Sequence, residues 1–237
     1  MQIILLPLIS ILVFPISYIY SEPSCLIDDS KEKLYRLDLT VPATFCKKTN
    51  KDPSCKTFPK KSILQLHGLW PNYTKGFPEG KCKPNECKTQ SEKKGKFCKF
   101  PEPTNLYSSN DWKLLSKYMA GTEKCLERHE WVKHGVCSPM DSITYFKWAL
   151  ERTKEITSAF DIFADKLVTQ EEVNTLVSKN LPLLNGAIRF SCKGENVSGV
   201  FVLYEWGNIP GNPIKTKGGN NGFGNCPNRF IFPSSPE

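Results

Sequence analysis

Apolar and polar residues alternate in two short segments of the N-terminal half of the chain. Leu34 to Leu39 runs Leu-Tyr-Arg-Leu-Asp-Leu, and Ser62 to His67 runs Ser-Ile-Leu-Gln-Leu-His. Alternation over five or six residues is typical of a β-strand with one face in the core. We therefore predict two strands here, and the second of them ends at a histidine.

Strand patterns return near the C-terminus. Ala187 to Ser191 and Val200 to Glu205 are predicted strands, and Asn185-Gly186 ahead of them is a turn signal. Gly207 to Asn225 is dominated by glycine and asparagine, and a last short strand is expected at Phe230 to Phe232.

Helical spacing of apolar residues is typical of the region in between. The first predicted helix runs from Trp112 to Tyr118, with Ser109-Asn110-Asp111 as its cap and Gly121 as its stop, and a second runs from Cys125 to His134. A third begins at Asp141-Ser142 and is expected to bury Ile143, Phe146, Leu150 and Ile156. A short fourth helix follows the capping box Thr169-Gln170-Glu171-Glu172. Tyr73 to Pro103 shows no periodicity and is predicted to be a long loop pinned by disulfides. Since no internal repeat is visible, we expect an α+β fold: an antiparallel β-sheet with packed helices in one disulfide-stapled domain.

The first twenty residues carry no charged side chain and are almost wholly apolar from Ile3 to Phe14. This pattern predicts a signal peptide over residues 1–21, followed by one folded domain over residues 22–237. An uncleaved membrane anchor is the alternative, because roughly 17 apolar residues is the lower limit of a membrane span. Two features depart from the usual signal peptide, since no Lys or Arg precedes the apolar run and Pro7 and Pro15 interrupt it, but we expect cleavage and no stable membrane insertion after it.

Ten cysteines follow this segment, an even number. Behind a signal peptide they indicate an oxidising compartment and five disulfides. A structural zinc site needs tighter pairs than Cys82 and Cys87, the closest two here, so we expect none. The triplets Asn72-Tyr73-Thr74 and Asn196-Val197-Ser198 fit the same secretory route and predict surface glycans at both asparagines.

The formal net charge of +8 lies wholly after the leader, and lysines crowd the loop-like region from Lys81 to Lys99. A polyanionic partner such as a nucleic acid fits this charge. A solvated lysine surface that keeps a secreted protein soluble fits it equally well. Composition therefore leaves both interpretations open.

All three histidines lie in two short motifs. His67 stands in Leu-His-Gly-Leu-Trp-Pro-Asn, and His129 and His134 stand in His-Glu-Trp-Val-Lys-His-Gly-Val-Cys. On a helix at about 100° per residue, Glu130, Lys133 and His134 all lie within about 140° of the first histidine of that motif. Such a cluster of cations disfavours folding unless a carboxylate or a bound anion offsets the repulsion.

This set of side chains has the groups that RNA cleavage needs. The reaction takes a base for the 2′-hydroxyl proton, an acid for the 5′-oxygen and cations around the phosphorane, and histidine, with a pKa of about 6.5, can be either base or acid. A zinc hydrolase is the rival, but it needs His-Glu-x-x-His, whereas here the second histidine follows five positions on. We therefore expect chemistry without a metal or another cofactor.

Both motifs resemble the two active-site segments of the ribonuclease T2 family. Leu66 to Pro71 matches the first segment, and His129-Glu130-Trp131, Lys133-His134-Gly135 and Cys137 match the second, with weaker similarity over most of the chain. Richness in lysine and the long loop indicate a divergent animal member, similar to the ribonucleases secreted by helminth eggs.

The resemblance implies a role for each motif residue. His134 would be the general base, His67 the general acid and His129 the phosphate ligand, while Glu130 and Lys133 would stabilise the transition state. Trp70 would stack on a base, with a core tryptophan as the alternative, and Asn72, where many members have aspartate, would contact substrate beside it. The implied disulfides are Cys46 with Cys55, Cys82 with Cys137 and Cys192 with Cys226, which leaves Cys25, Cys87, Cys98 and Cys125 unassigned.

The implied function is a secreted endoribonuclease that cleaves single-stranded RNA through a 2′,3′-cyclic phosphate to 3′-phosphate ends. DNA lacks the 2′-hydroxyl and should not react. The expected location is extracellular, or an endosomal or lysosomal compartment reached by the secretory route. The alternative function is a glycoprotein ligand that acts on host or neighbouring cells through a glycan-binding receptor and keeps a residual ribonuclease site; the intact set of motif residues argues against such decay.

Overall fold

The computed structural model describes residues 24–49, 51–56, 58, 60–78, 80–81 and 97–236. The predicted signal peptide, most of the predicted loop between Tyr73 and Pro103, and two of the cysteines, Cys82 and Cys87, lie outside the described residues. Within these ranges no helix has the length and apolar character needed to span a bilayer.

The fold is α+β, and in the described ranges eight strands form a six-stranded sheet and a separate ribbon. The ribbon pairs β1 (Ser24–Cys25) with β4 (Gly80–Lys81). The sheet contains β2 (Lys33–Thr40), β3 (Gln65–Tyr73), β5 (Leu167–Thr169), β6 (Ile188–Lys193), β7 (Asn196–Glu205) and β8 (Arg229–Ile231). Its order is β3-β2-β7-β8-β5, with β6 paired to β7, and every pairing is antiparallel except the short parallel contact between β7 and β8.

Four of the predicted strands are found, in β2, β6, β7 and β8. The prediction of a strand from Ser62 that ends at His67 is wrong in extent, because β3 begins at Gln65 and continues to Tyr73. The strict alternation stops at His67 because one extra residue is inserted there, so that core-facing Leu66 and Leu69 are three positions apart. β5 has only three residues and was not predicted.

The described part of the chain forms the α-helices α1 (Pro42–Cys46), α2 (Trp112–Tyr118), α3 (Leu126–Lys133), α4 (Ser142–Phe160) and α5 (Gln170–Asn180). All but the short α1 correspond to predicted helices. The side chain of Asp141 accepts the N–H of Thr144 at 2.7 Å, and the predicted capping box between Thr169 and Glu172 is formed. Satisfying these first-turn N–H groups explains where α4 and α5 begin.

The core lies between α4 and the inner face of the sheet. Leu37 and Leu69 of the sheet and Tyr145 of α4 are fully buried, and the Tyr145 hydroxyl donates to the Leu69 carbonyl. Three of the four apolar residues predicted for the inner face of α4 are buried, whereas Ile143 is only half-buried. Because β3 is fixed from its inner face in this way, side chains on its outer face have defined positions.

Disulfides join four pairs of the described cysteines: Cys25–Cys137, Cys46–Cys55, Cys98–Cys125 and Cys192–Cys226. The second and fourth pairs match those that the resemblance implied. The implied pairing of Cys82 with Cys137 is wrong, because Cys137 is bonded to Cys25. Pairing of β1 with β4 carries Cys25 to the turn that contains Cys137, and the 5.1 Å between their Cα atoms suits a disulfide.

Candidate active site

The first histidine lies on a β-bulge. In the pairing of β2 with β3 the register shifts at His67, which is an extra residue with no residue opposite it. A bulge inserts one residue and redirects the side chains around it. Leu66 and Leu69 are fully buried, whereas His67 and Trp70 are partly exposed. The bulge therefore places the histidine and the tryptophan of this motif on the same outer face of the sheet.

The glycine that follows makes room for a carboxylate. A Cβ atom on Gly68 would lie 2.3 Å from Oε2 of Glu130 and 2.4 Å from Nε1 of Trp70. Non-bonded heavy atoms normally stay about 3.5–4.0 Å apart. The absence of a side chain at position 68 is therefore what allows α3 to bring Glu130 against β3.

The second motif occupies α3 and the turn after it. His134 ends the helix, and its N–H still donates to the carbonyl of Glu130 at 3.0 Å. The chain continues into a 3-10 turn, Gly135–Cys137, which the disulfide from Cys137 to Cys25 fastens to β1. This covalent link holds the end of the helix, and with it His134, against the N-terminal strand.

Glu130 connects the two motifs. Its Oε2 accepts the indole N–H of Trp70 at 2.7 Å, and its Oε1 lies 3.6 Å from Nε2 of His67. The ring centroid of Trp70 is 5.2 Å from that of His67 and 5.3 Å from that of His134. Two histidines from distant parts of the chain therefore flank one indole, beside a buried carboxylate.

His129 and Lys133 border this group. The ring centroid of His129 is 6.4 Å from that of His134 and 4.6 Å from that of Phe97. The Lys133 ammonium lies 5.3 Å from the ring centroid of Phe77, which in turn is 5.6 Å from the ring of His134. The structure thus brings all five predicted catalytic residues to one site.

The surroundings of His67 favour its protonated form. Burial lowers the pKa of this imidazole, but the Asp38 carboxylate and the charge of Glu130 outweigh burial and the opposing charge of Lys124, so that the pKa is raised. Nδ1 of His67 lies 3.6 Å from Oδ1 of Asp38. The side chain is 41% exposed, so solvent moderates these charges without cancelling them.

Burial acts in opposite directions on the other two central groups. Glu130 is 1% exposed, and burial raises its pKa to about 7 against the lowering effect of His67. Burial also holds the pKa of His134 far below its usual value, and the charges of Lys133, His129 and His67 lower it further. Near neutral pH the site therefore holds a neutral histidine and a histidine that favours its proton, which are a base and an acid.

A cleft of about 210 Å³ opens beside these groups. Besides His67, His129 and Glu130, its lining includes aromatic, polar and cationic side chains, among them Thr40, Phe45, Lys60, Gln65, Phe97 and Lys124. Aromatic rings and lysines are the groups that single-stranded nucleic acids contact with their bases and phosphates. The cleft thus has the composition of a binding site for such a strand.

The remaining predicted site residues lie on strands. Trp70 faces the catalytic group and not the core, with the Arg36 guanidinium 5.2 Å from its ring. Asn72 is half-buried, two residues further along the same face of β3. Asn196, the other sequon asparagine, begins β7 opposite Lys193 and is also half-buried. Both sequons are therefore less exposed than expected.

Two side chains of β2, Arg36 and Asp38, belong to the site and were not predicted. Asp38 contacts His67, and Nε of Arg36 donates to Oδ2 of Asp38 at 2.9 Å. Alternation along β2 predicts that both side chains lie on the polar face of the strand, and this is the only sign of their role that the sequence contains. Only the register that sets Arg36 opposite Trp70 shows that this face is shared with the histidine.

Comparison with known proteins gives one family. The model of the Ribonuclease T2 family matches residues 32–205. Ribonuclease I of Escherichia coli (strain K12) is 29% identical over 189 residues, which cover 68% of this chain and 70% of that protein. Extracellular ribonuclease LE of Solanum lycopersicum is 32% identical over 96 residues, which cover 38% of this chain and 37% of that protein.

Solved structures show the same fold. An RNase-related protein from Calystegia sepium superposes with a TM-score of 0.57 at 17% identity, covering 86% of this chain and 98% of its own. RNase NT, solved in complex with 5′-AMP, gives a TM-score of 0.55 at 20% identity and covers 85% of this chain and 98% of its own.

Proposed function

This chain belongs to the ribonuclease T2 family, and we propose that it is a secreted enzyme that cleaves single-stranded RNA without a metal. Membership of this family supports RNA-cleaving endoribonuclease activity. The route through a 2′,3′-cyclic phosphate to a 3′-phosphate is our proposal for its chemistry.

Two histidines with opposite preferences for a proton flank the ring of Trp70, and this observation carries the proposal. Neutral His134 takes the proton of the 2′-hydroxyl while the 2′-oxygen attacks phosphorus. The bond from phosphorus to the 5′-oxygen breaks, and that oxygen receives the proton of His67. One fragment leaves with a 5′-hydroxyl, and the other carries a 2′,3′-cyclic phosphate.

The second step returns both histidines to their starting states. Neutral His67 takes a proton from water, the water oxygen attacks phosphorus, and protonated His134 gives its proton to the departing 2′-oxygen. The product is a 3′-phosphate. Because each histidine is needed in both protonation states, loss of either one should slow both steps on RNA.

Three side chains act on the charge of the phosphorane. Below about pH 7 the Glu130 carboxyl holds a proton, which it can donate in a hydrogen bond to a phosphoryl oxygen, whereas an ionised carboxylate would repel that oxygen. Lys133 supplies positive charge at the border of the site, and we assign phosphate binding to His129, which lines the cleft.

The RNA strand binds to the outer face of β3 and in the cleft. Stacking of a base on an aromatic ring contributes about 1–3 kcal/mol and depends little on base identity. We assign this role to Trp70, whose indole N–H donates to Glu130. A base beside the scissile bond is therefore held by the residue that also hydrogen-bonds the Glu130 carboxyl.

Four disulfides among the described cysteines support a compartment that is oxidising. This fits a signal peptide over residues 1–21 and glycans at Asn72 and Asn196. We accordingly place the enzyme outside the cell, or in an endosomal or lysosomal compartment reached through the secretory route.

Incubation with an RNA oligomer and a DNA oligomer of the same sequence, in EDTA, tests the proposal. We expect cleavage of the RNA alone, with 2′,3′-cyclic phosphate ends identified by phosphorus NMR. Cleavage of the DNA at a similar rate, or loss of activity in EDTA that zinc restores, would contradict it.

A further inference from the structure

His67 lies between two carboxylates from different elements. Oε1 of Glu130, on α3, is 3.6 Å from its Nε2, and Oδ1 of Asp38, on β2, is 3.6 Å from its Nδ1. The partner of one ring nitrogen fixes the ring orientation and decides which nitrogen keeps a proton when the other loses one. The carboxylate at Nδ1 therefore controls what Nε2 can do.

Arg36 holds Asp38 in place. Its guanidinium donates to Oδ2 of Asp38 from both Nε and Nη2. The other carboxylate oxygen, Oδ1, is the one that faces His67. The two side chains are only 32% and 14% exposed. The guanidinium also lies 5.2 Å from the ring centroid of Trp70 and 4.0 Å from that of Phe201. A charge-assisted contact between partly buried and packed groups gives the Asp38 carboxylate a fixed orientation.

The two carboxylates at His67 are not equivalent. Glu130 is almost fully buried, its Oε2 is occupied by Trp70, and burial raises its pKa, so it favours the neutral form. Asp38 is instead in an ion pair with Arg36. Both carboxylates lie 3.6 Å from the ring, beyond an ordinary hydrogen bond, so their difference is one of charge: ion-paired Asp38 attracts the proton on Nδ1, whereas Nε2, which faces the carboxyl that favours its neutral form, can turn its proton to a substrate atom.

We propose that Asp38 is a positioning residue that holds His67 by its Nδ1, so that Nε2 presents its proton to the leaving 5′-oxygen of RNA. The inference rests on the proposed function, since it takes His67 as the acid. When Nε2 gives up its proton, the neutral ring keeps the proton on Nδ1 toward Asp38, and the carboxylate itself takes none. Asp38 therefore acts through His67 and not on the RNA.

Charged groups reach His67 from three elements, and this determines the effect of removing Asp38. Asp38 with Arg36 comes from β2, Glu130 from α3, and Lys124 from the segment before α3. Burial and Lys124 lower the pKa of the imidazole, while the two carboxylates raise it. Without the charge of Asp38 the raising effect is left to Glu130, which itself favours the neutral form, so the acid should lose its proton at a lower pH.

Asp38→Asn tests this, because it keeps the side-chain shape and removes the charge. Two substrates separate the role of the acid from other effects. A dinucleoside monophosphate has an alkoxide leaving group that needs a proton, whereas a nucleoside 3′-(p-nitrophenyl phosphate) has a leaving group that departs without one. We expect kcat/KM on the dinucleotide to fall about 10- to 100-fold, part of the roughly 10²- to 10⁴-fold that a positioned acid contributes. On the aryl ester we expect a change below about threefold, because the acid is not used there.

The pH profile gives a second readout. The alkaline limb of kcat/KM on the dinucleotide should move to lower pH in Asp38→Asn. In a His67→Ala background the same substitution should have no further effect on the dinucleotide, because its target is already absent. Asp29→Asn is the matched control. It removes one carboxylate that is 89% exposed and ion-paired with Lys33 at the start of β2. It should change neither kcat/KM on the two substrates nor the pH profile.

Arg36→Lys covers the case in which Asp38→Asn does not fold. It keeps the positive charge and removes the two-pronged hold on Asp38, so it should show a smaller loss with the same dependence on the leaving group. Equal losses on both substrates, or an unmoved alkaline limb, would overturn the role of Asp38. If the unsubstituted enzyme cleaves neither substrate, or if His67→Ala shows no dependence on the leaving group, the proposed function fails instead.

Discussion

A methyl group at position 68 is the smallest change that should disrupt the site. In Gly68→Ala the new Cβ would lie 2.3 Å from Oε2 of Glu130 and 2.4 Å from Nε1 of Trp70. Both atoms belong to the same hydrogen bond, 2.7 Å long. Since normal contacts are about 3.5 Å or more, the carboxylate and the indole must each retreat by about 1 Å.

The cost can be estimated from these contacts. Overpacking a filled region costs about 1–3 kcal/mol. Losing the hydrogen bond to a carboxyl that is 1% exposed adds about 1–3 kcal/mol. We therefore expect the free energy of unfolding to fall by about 2–6 kcal/mol. A displacement of about 1 Å near the reacting groups should also lower kcat/KM about 100-fold.

Urea unfolding and cleavage of a dinucleoside monophosphate measure the two effects. Gly222→Ala is the matched control, because its Cβ would lie 3.3 Å from Cγ of Arg189 and 3.5 Å from Cγ2 of Thr216, which are side-chain contacts that a small shift can relieve. We expect the control to lose less than about 1 kcal/mol and to remain active. A Gly68→Ala protein as stable and as active as this control would refute the packing of Glu130 against β3.

Three further predictions concern other parts of the molecule. Burial raises the pKa of Glu130 from 4.5 to about 7, so between these pH values the folded chain binds more protons than the unfolded chain and loses stability as the pH rises. In thermal unfolding, Glu130→Gln should therefore be more stable than the parent protein at about pH 8 but not at about pH 4. The variant should be inactive at both pH values. Asn72→Gln should remove a glycan seen by mass spectrometry and raise cleavage of polymeric RNA less than about tenfold, leaving the dinucleotide unaffected, because a glycan two residues past Trp70 on the same face of β3 would contact a long strand but not a dinucleotide at the catalytic group. Replacing Cys25 and Cys137 together by serine opens a loop of 112 residues and should cost about 2–5 kcal/mol in urea unfolding.

Most of the fold follows from the sequence where one face of an element is buried. β2 and α4 each have a continuous apolar face, and both were predicted. β3 was not predicted in full, because the bulge at His67 shifts the alternation by one residue. A bulge is set by the partner strand as well as by the local sequence, so an alternating pattern alone does not reveal it.

The residues of the candidate site also differ in whether the sequence alone reveals them. The motif residues can be identified by residue type and spacing. The burial of Glu130 cannot, since a helical projection places this residue on the polar side of α3, and that side is covered by β3 in the folded protein. Asp38 could not be found, since its contact with His67 depends on the register of two strands distant in sequence. The partner of Cys137 could not be fixed either, because ten cysteines allow about 945 full pairings.

The central claim is that His134 removes a proton and His67 supplies one. Its most direct test is kcat/KM of His67→Ala, His134→Ala and His129→Ala on the dinucleoside monophosphate and on the nucleoside 3′-(p-nitrophenyl phosphate). On the dinucleotide we expect the first two to lose about 10²- to 10⁴-fold and His129→Ala to lose less, largely through KM. On the aryl ester His67→Ala should recover to within about tenfold of the parent, whereas His134→Ala should keep its loss, since only the base is still needed. Equal losses at all three histidines, or recovery of His134→Ala in place of His67→Ala, would contradict the account.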